Sequence, residues 1–190
     1  MIRITSELQL TDGKFRGRLL GNSPRPKASP TPRMVREMMF RLISRRVRAG
    51  RFLDLCAGCG VVGLEAISRG AMLVTFVERS ARLASHLRAN LKKIGVHENR
   101  GQVQEIEALP FLARCAKRKR VWDIVFVGHA EASSPEIIET VARGKMLAPN
   151  GVIVIEHPST SPLPDDLDNL RRWRNLERDG YALSFYNRES

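Results

Sequence analysis

The 190-residue chain has no run of about 18 apolar residues, so no membrane-spanning helix is expected. Its opening, MIRITSELQL, lacks the apolar core of a secretory signal. There are only three cysteines, Cys56, Cys59 and Cys115. That is too few for a disulfide scaffold, and a reducing, cytoplasmic setting is the expectation. No internal repeat is visible. Acidic residues are scarce in one place: residues 1–51 hold 13 Lys/Arg against 3 Asp/Glu, whereas residues 52–190 hold 19 against 17. This local shortage accounts for most of the net charge of +12. It points to a polyanionic partner, RNA or DNA ahead of a membrane surface.

The apolar fraction of 43% is that of one globular domain with a core. The segment GNSPRPKASPTP, residues 21–32, reads as loop. It sets off a basic extension, residues 1–50, from the main domain, residues 51–190. In the extension, IRITSEL and KFRGRLL read as two short strands of a hairpin. A helix follows, with Thr31 as its cap, Pro32 in its first turn, and Val35, Met38, Met39 and Leu42 as its apolar stripe. Its other face presents Arg33, Arg36, Arg41, Arg45 and Arg48. From Arg51 onward strands and helices alternate, the pattern of a parallel sheet covered on both faces. The tail, LRRWRNLERDGYALSFYNRE, reads instead as two strands around Asp179-Gly180, an antiparallel edge.

The segment FLDLCAGCGVVGLEA follows the first core strand and opens a helix. Gly58, Gly60 and Gly63 fit G-x-G-x-x-G in the strand–turn–helix context that gives this pattern meaning. Glu78 stands about twenty residues on, at the end of the next strand, where a carboxylate accepts from the ribose hydroxyls of an adenosine cofactor. Asp54, inside the first strand's end, discriminates between cofactors. It is unfavourable beside an anionic pyrophosphate and favourable beside the ammonium and sulfonium of S-adenosylmethionine. An NAD-dependent oxidoreductase is therefore the weaker reading. Cys56-Ala57-Gly58-Cys59 is also a Cys-x-x-C, but a single pair makes a poor zinc site, and no metal is expected.

The stretch FLDLCAGCGVVGLEAISRGAMLVTFVERS resembles the RsmD family, bacterial methyltransferases that modify a guanine exocyclic amine in small-subunit ribosomal RNA. DGKFRGRLL, PTPRMVREMMFRLI, ALPFL, GVIVIEH and LSFYNRE extend the likeness over most of the chain. The resemblance implies an α/β class I methyltransferase fold with a seven-stranded, mostly parallel sheet. By position, Asp54, Gly58 and Gly60, with Cys56 and Ala57, would cradle the methionine part of S-adenosylmethionine. Glu78 and Arg79 would lie at the ribose, and Glu107 and Ala108 at the adenine. Lys14, Arg16, Arg18, Arg33 and Arg36 are the expected phosphate contacts of ribosomal RNA or of the small-subunit particle. A monomer is expected.

The chain departs from the family at the tip of the fourth strand and in the arm. D-P-P-Y, which ends the fourth strand, is replaced by Gly128, His129, Ala130 and Glu131. In D-P-P-Y a carboxylate and a carbonyl hold the amine hydrogens, and the ring stacks on a flipped base. Three readings are open here. His129 stacks while Glu131 accepts; or His129 is a general base for a different nucleophile; or the protein binds cofactor and RNA without turnover. Glu156 and His157 border the same cleft. The arm also differs, with Ser29-Pro30-Thr31-Pro32-Arg33-Met34 where the family reads R-P-T-T-D-R.

Overall fold

A computed structural model describes residues 8–21, 30–128, 135–143 and 145–188. Five parallel strands form the centre: β1 (Arg51–Leu55), β2 (Leu73–Val77), β3 (Gly101–Gln104), β4 (Trp122–Val127) and β5 (Leu147–Pro158). β6 (Asp166–Leu167), β7 (Leu170–Arg178) and β8 (Tyr181–Arg188) add antiparallel pairings. The order is β3-β2-β1-β4-β5-β8-β7-β6. Among the described residues the sheet thus has eight strands rather than seven, the extra one being the two-residue β6. β8 is not an edge; it is inserted between β5 and β7.

Strand alternation splits the core in two. Phe52, Phe76, Ile124, Phe126, Val152 and Val154 face α1 (Arg33–Val47), α2 (Val61–Ser68) and α3 (Ala81–Lys93). Leu53, Leu55, Val125, Val127, Ile153 and Ile155 face α4 (Ala108–Lys117) and α5 (Pro135–Arg143). Near-continuous apolar strands between two helical layers are what a parallel sheet requires. The chain order reverses between β1 and β4, and such a switch point opens a crevice at the strands' carboxyl ends.

Of the expected hairpin's first strand, residues 2–7 lie outside the described residues; Gln9 and Leu19 form an antiparallel bridge among those described. The turn is held by α2: buried Glu65 accepts from Thr11 N, Thr11 Oγ1 and Asp12 N. α1 is capped by Pro32 without a side-chain bond, so Thr31 is not its cap. Its buried stripe is Val35, Met39, Phe40, Ile43 and Val47, with Met38 and Leu42 half-buried on one flank. Leu8, Leu10, Leu20 and α1 belong to the same core cluster as the sheet.

Candidate active site

The turn after β1 is shaped by steric closeness. Gly60, the residue before α2, has φ +76, and a Cβ there would stand 2.1 Å from Leu87 Cδ1. A Cβ on Gly63 would meet Phe76 Cε1 at 2.2 Å and Asp54 Oδ2 at 2.9 Å. Only glycine lets α2 pack this near the sheet. Gly58, at φ +57, has nothing within 4 Å of a Cβ and leaves the crevice open.

Two carboxylates stitch this turn. Asp54, 1% exposed, accepts from Gly63 N at 2.8 Å. Glu78 accepts from Gly58 N at 2.9 Å and Ser80 N at 2.7 Å. Burial pushes Asp54 up to about 7; the Gly63 amide opposes this, and the charges of Glu78 and Glu156 add to it. The groups acting on Asp54 are therefore an amide and two further acids, with no cation among them.

Cys56, Val77, Glu78, Arg79, Ile106, Glu107, Ala108, Leu109 and Ile137 line a cavity of about 150 Å³. Val77, Ile106, Leu109 and Ile137 give this slot apolar walls, and Glu78, Arg79 and Glu107 give it polar ones, a lining that suits a purine. The sequence-selected residues Cys56, Glu78, Arg79, Glu107 and Ala108 thus meet at one cavity, and Asp54, Ala57, Gly58 and Gly60 form the turn above it. A larger hollow of about 910 Å³ lies along edge strand β3 and the end of α3. It contains neither the glycine turn nor the buried acids, and it is not the site.

The cysteines fit the turn as small residues, Cys59 buried in the core and Cys56 lining the cavity. Cys59 is buried, and its thiol is pushed up by that burial, which suppresses the reactive thiolate. The NAD reading fails on the same acids, since Asp54 lies directly under the turn that would take a pyrophosphate.

Across the switch point the tip begins at Gly128, whose N–H donates to Leu55 O at 3.2 Å. His129 and Glu131 lie outside the described residues. Val127 pairs with Ile155, so Gly128 is level with Glu156 on the neighbouring strand. Glu156 points to the α1 side, is 2% exposed and accepts from Thr31 Oγ1 at 2.6 Å. Burial raises it to about 7, while the Thr31 bond and Arg36 pull it down. His157 points to the opposite side, with Nε2 2.9 Å from Ser184 Oγ; burial lowers its pKa. Sequence reasoning missed the Thr31–Glu156 link because its partners are 125 residues apart.

One expected phosphate contact is corrected. Arg36 is 2% exposed, and its guanidinium donates to Thr31 O at 2.8 Å and Gln9 O at 2.9 Å. It ties the arm to α1 and cannot meet a phosphate. Lys14, Arg16, Arg18 and Arg33 are exposed, and Arg33 pairs with Glu37 at 2.8 Å. The Lys14 turn docks on Ser68, at the far end of α2 from the glycine loop. An eight-residue helix separates the two by about 12 Å.

The family described as Conserved hypothetical protein 95 matches residues 8–187. YlbH of Bacillus subtilis (strain 168) is 30% identical over 86% of this chain and 89% of its own length. Ribosomal RNA small subunit methyltransferase D of Escherichia coli (strain K12) is 28% identical over 98% of this chain and 92% of its own. The solved structure of yhhF from Escherichia coli superposes with a TM-score of 0.82 at 28% identity, covering 96% of this chain and 98% of that one. With the glycine turn and both acids in place and a family match spanning nearly all of its length, the chain belongs to the RsmD family of methyltransferases.

Proposed function

We propose that this methyltransferase uses S-adenosylmethionine to methylate an exocyclic amine of a guanine in small-subunit ribosomal RNA. The observation that carries the cofactor is Asp54, a buried acid that accepts from Gly63 N and is raised further by the charges of Glu78 and Glu156. Such a site gains most from a ligand that brings positive charge. Bound S-adenosylmethionine supplies an electrophilic methyl group on a sulfonium.

The chain's own residues do the rest by position. Asp54 faces the cationic end. Glu78 keeps lone pairs beyond the two amides it already accepts from, and these suit ribose hydroxyls. Val77, Ile106, Leu109 and Ile137 give the slot its apolar walls. Ala108 and Leu109, whose amides in the first turn of α4 have no acceptor within the helix, line the same slot. On the acceptor side Gly128 brings no carboxylate, and the exposed basic residues Lys14, Arg16, Arg18 and Arg33 serve RNA phosphates.

The ribosomal RNA substrate is supported by the relatives that are ribosomal RNA methyltransferases and by the basic arm; the guanine amine is what the resemblance to the family implies. The test is transfer of a tritiated methyl group to small-subunit RNA and to the assembled small-subunit particle, followed by nucleoside analysis. Label in an N2-methylguanosine supports the proposal. Label elsewhere keeps the methyltransferase and rejects the base.

A further inference from the structure

β7 reads Leu170-Arg171-Arg172-Trp173-Arg174-Asn175-Leu176-Glu177-Arg178. Its pairing with β8 shifts between Arg172 and Arg174, leaving Trp173 as the extra residue of a β-bulge. Residues directly opposite across two strands share a face. Arg174 opposes Phe185 and Leu176 opposes Leu183, and both partners belong to the core on the α1 side. The Trp173 ring lies 5.5 Å from that of Phe185, so it stands on this side too. The bulge thus gathers two consecutive residues, Trp173 and Arg174, that a regular strand would send to opposite faces. Arg178 joins them, sharing a small hollow with Val35 and Met38 of α1. The strand's acid, Glu177, opposes Ala182 on the other face.

Trp173 is 40% exposed, whereas Trp122 is 3% exposed. α1 reaches this face at Met38, in the hollow it shares with Arg178, and Met34, Met38, Arg41 and Arg45 are spaced as one helical stripe. Met34 is 47% exposed, and Arg41 and Arg45 are exposed. The row starts at the catalytic rim: Arg178 opposes Tyr181, which opposes Pro158, two residues past Glu156.

We propose that the α1-side face of β7, with the adjoining stripe of α1, is a groove for single-stranded RNA. One base stacks on Trp173, and Arg174, Arg178, Arg41 and Arg45 hold the phosphates on either side. Arginine supplies the charge complementarity, and an exposed indole supplies the platform that unpaired bases use. An acidic protein segment would satisfy the arginines but would leave the ring face unused. The inference rests on ribosomal RNA being the substrate, and it adds a surface separate from the Lys14 turn.

Because Trp122 is buried and shielded from bound ligand, the ligand-sensitive part of the tryptophan emission reports on Trp173. The probes are a short uridine oligomer and an unpaired-loop fragment of small-subunit RNA, with phosphatidylglycerol vesicles and a poly-glutamate peptide as controls. Both RNAs are expected to quench Trp173. Trp173→Ala is expected to raise the Kd for RNA roughly 5- to 150-fold, and Trp173→Phe to keep most of the affinity. Arg174→Ala with Arg178→Ala is expected to flatten the dependence of log Kd on log salt by about 0.7 per charge. Unchanged thermal unfolding of Trp173→Phe and of the arginine pair separates binding from folding. Wild-type affinity and slope in all three variants overturn the groove and leave the ribosomal RNA reading standing. Quenching by vesicles or peptide but not by RNA also overturns it. If the wild type binds neither RNA, the substrate reading fails and takes the groove with it.

Discussion

The carboxyl ends of β1 and β2 and those of β4 and β5 border one crevice, yet they are built on different terms. On the β1–β2 side the backbone is fixed by closeness, with Gly60 and Gly63 leaving no room for a Cβ. Asp54 and Glu78 each bond a main-chain amide of the glycine turn. On the β4–β5 side the strand tip is a glycine, and the nearest buried acid, Glu156, is held by Thr31 from the N-terminal arm. The cofactor side is preorganised by its own backbone. The acceptor side depends on side chains, and those at the tip have changed. A binding half constrained by sterics resists drift, while a half whose chemistry rests on a few side chains can be replaced.

The largest expected effect tests that contrast from the acceptor side. Replacing Gly128→Asp, His129→Pro, Ala130→Pro and Glu131→Tyr together should raise methyl transfer to small-subunit RNA by roughly 10²–10³, the worth of a preorganised catalytic group. Cofactor affinity should stay the same. A Cβ at position 128 lies 3.2 Å from Cys56 O, so the aspartate needs only a few tenths of an ångström of give. A wild type faster than the restored tip, with turnover abolished by His129→Ala, would show a rebuilt site instead.

From the cofactor side, Glu78→Ala should weaken S-adenosylmethionine by about 1.5–3 kcal/mol, the range for a charge-assisted hydrogen bond. Calorimetric titration reads this directly, and equal affinity in the two proteins would remove Glu78 from the site.

pH sharpens the same half. In the free protein Asp54 and Glu156 are raised to about 7 by burial. A carboxyl raised on folding contributes stability that is complete below its ordinary pKa and is lost as pH climbs through about 7. A cationic ligand needs Asp54 ionised, so affinity should fall as pH drops below about 7, with proton release on binding. Asp54→Asn, which can still accept from Gly63, should flatten both dependences. A pH-independent affinity in the wild type would contradict the pairing.

The smallest effect belongs to the arm. Lys14→Ala, Arg16→Ala and Arg18→Ala should each reduce the salt dependence of RNA affinity by about one unit of slope or less. Arg36→Ala should lower thermal stability with no change in that slope, because Arg36 is buried.

Most of this architecture was legible in the sequence because it follows from period and spacing. Apolar strands alternating with helices define the sheet, and Gly58, Gly60 and Gly63 ahead of Glu78 define the cofactor turn. What stayed hidden depends on contacts between distant segments. Arg36 reads as an exposed basic residue of a helix and is buried by Gln9 and Thr31. Thr31 reads as a cap and serves Glu156. The arginines of β7 cancel against acids in a charge count, and only the bulge at Trp173 shows that they share a face. β6, two residues long, gives no periodic signal.

The claim that the Asp54–Glu78 crevice is a site for a sulfonium cofactor is tested most directly by calorimetric titration with S-adenosylmethionine and, separately, with NAD, in the wild type and in Asp54→Asn. The account predicts binding of S-adenosylmethionine to the wild type, a marked loss of affinity in Asp54→Asn, and no heat from NAD in the wild type. Binding of NAD with none of S-adenosylmethionine, or equal affinity of the two proteins for S-adenosylmethionine, would contradict it.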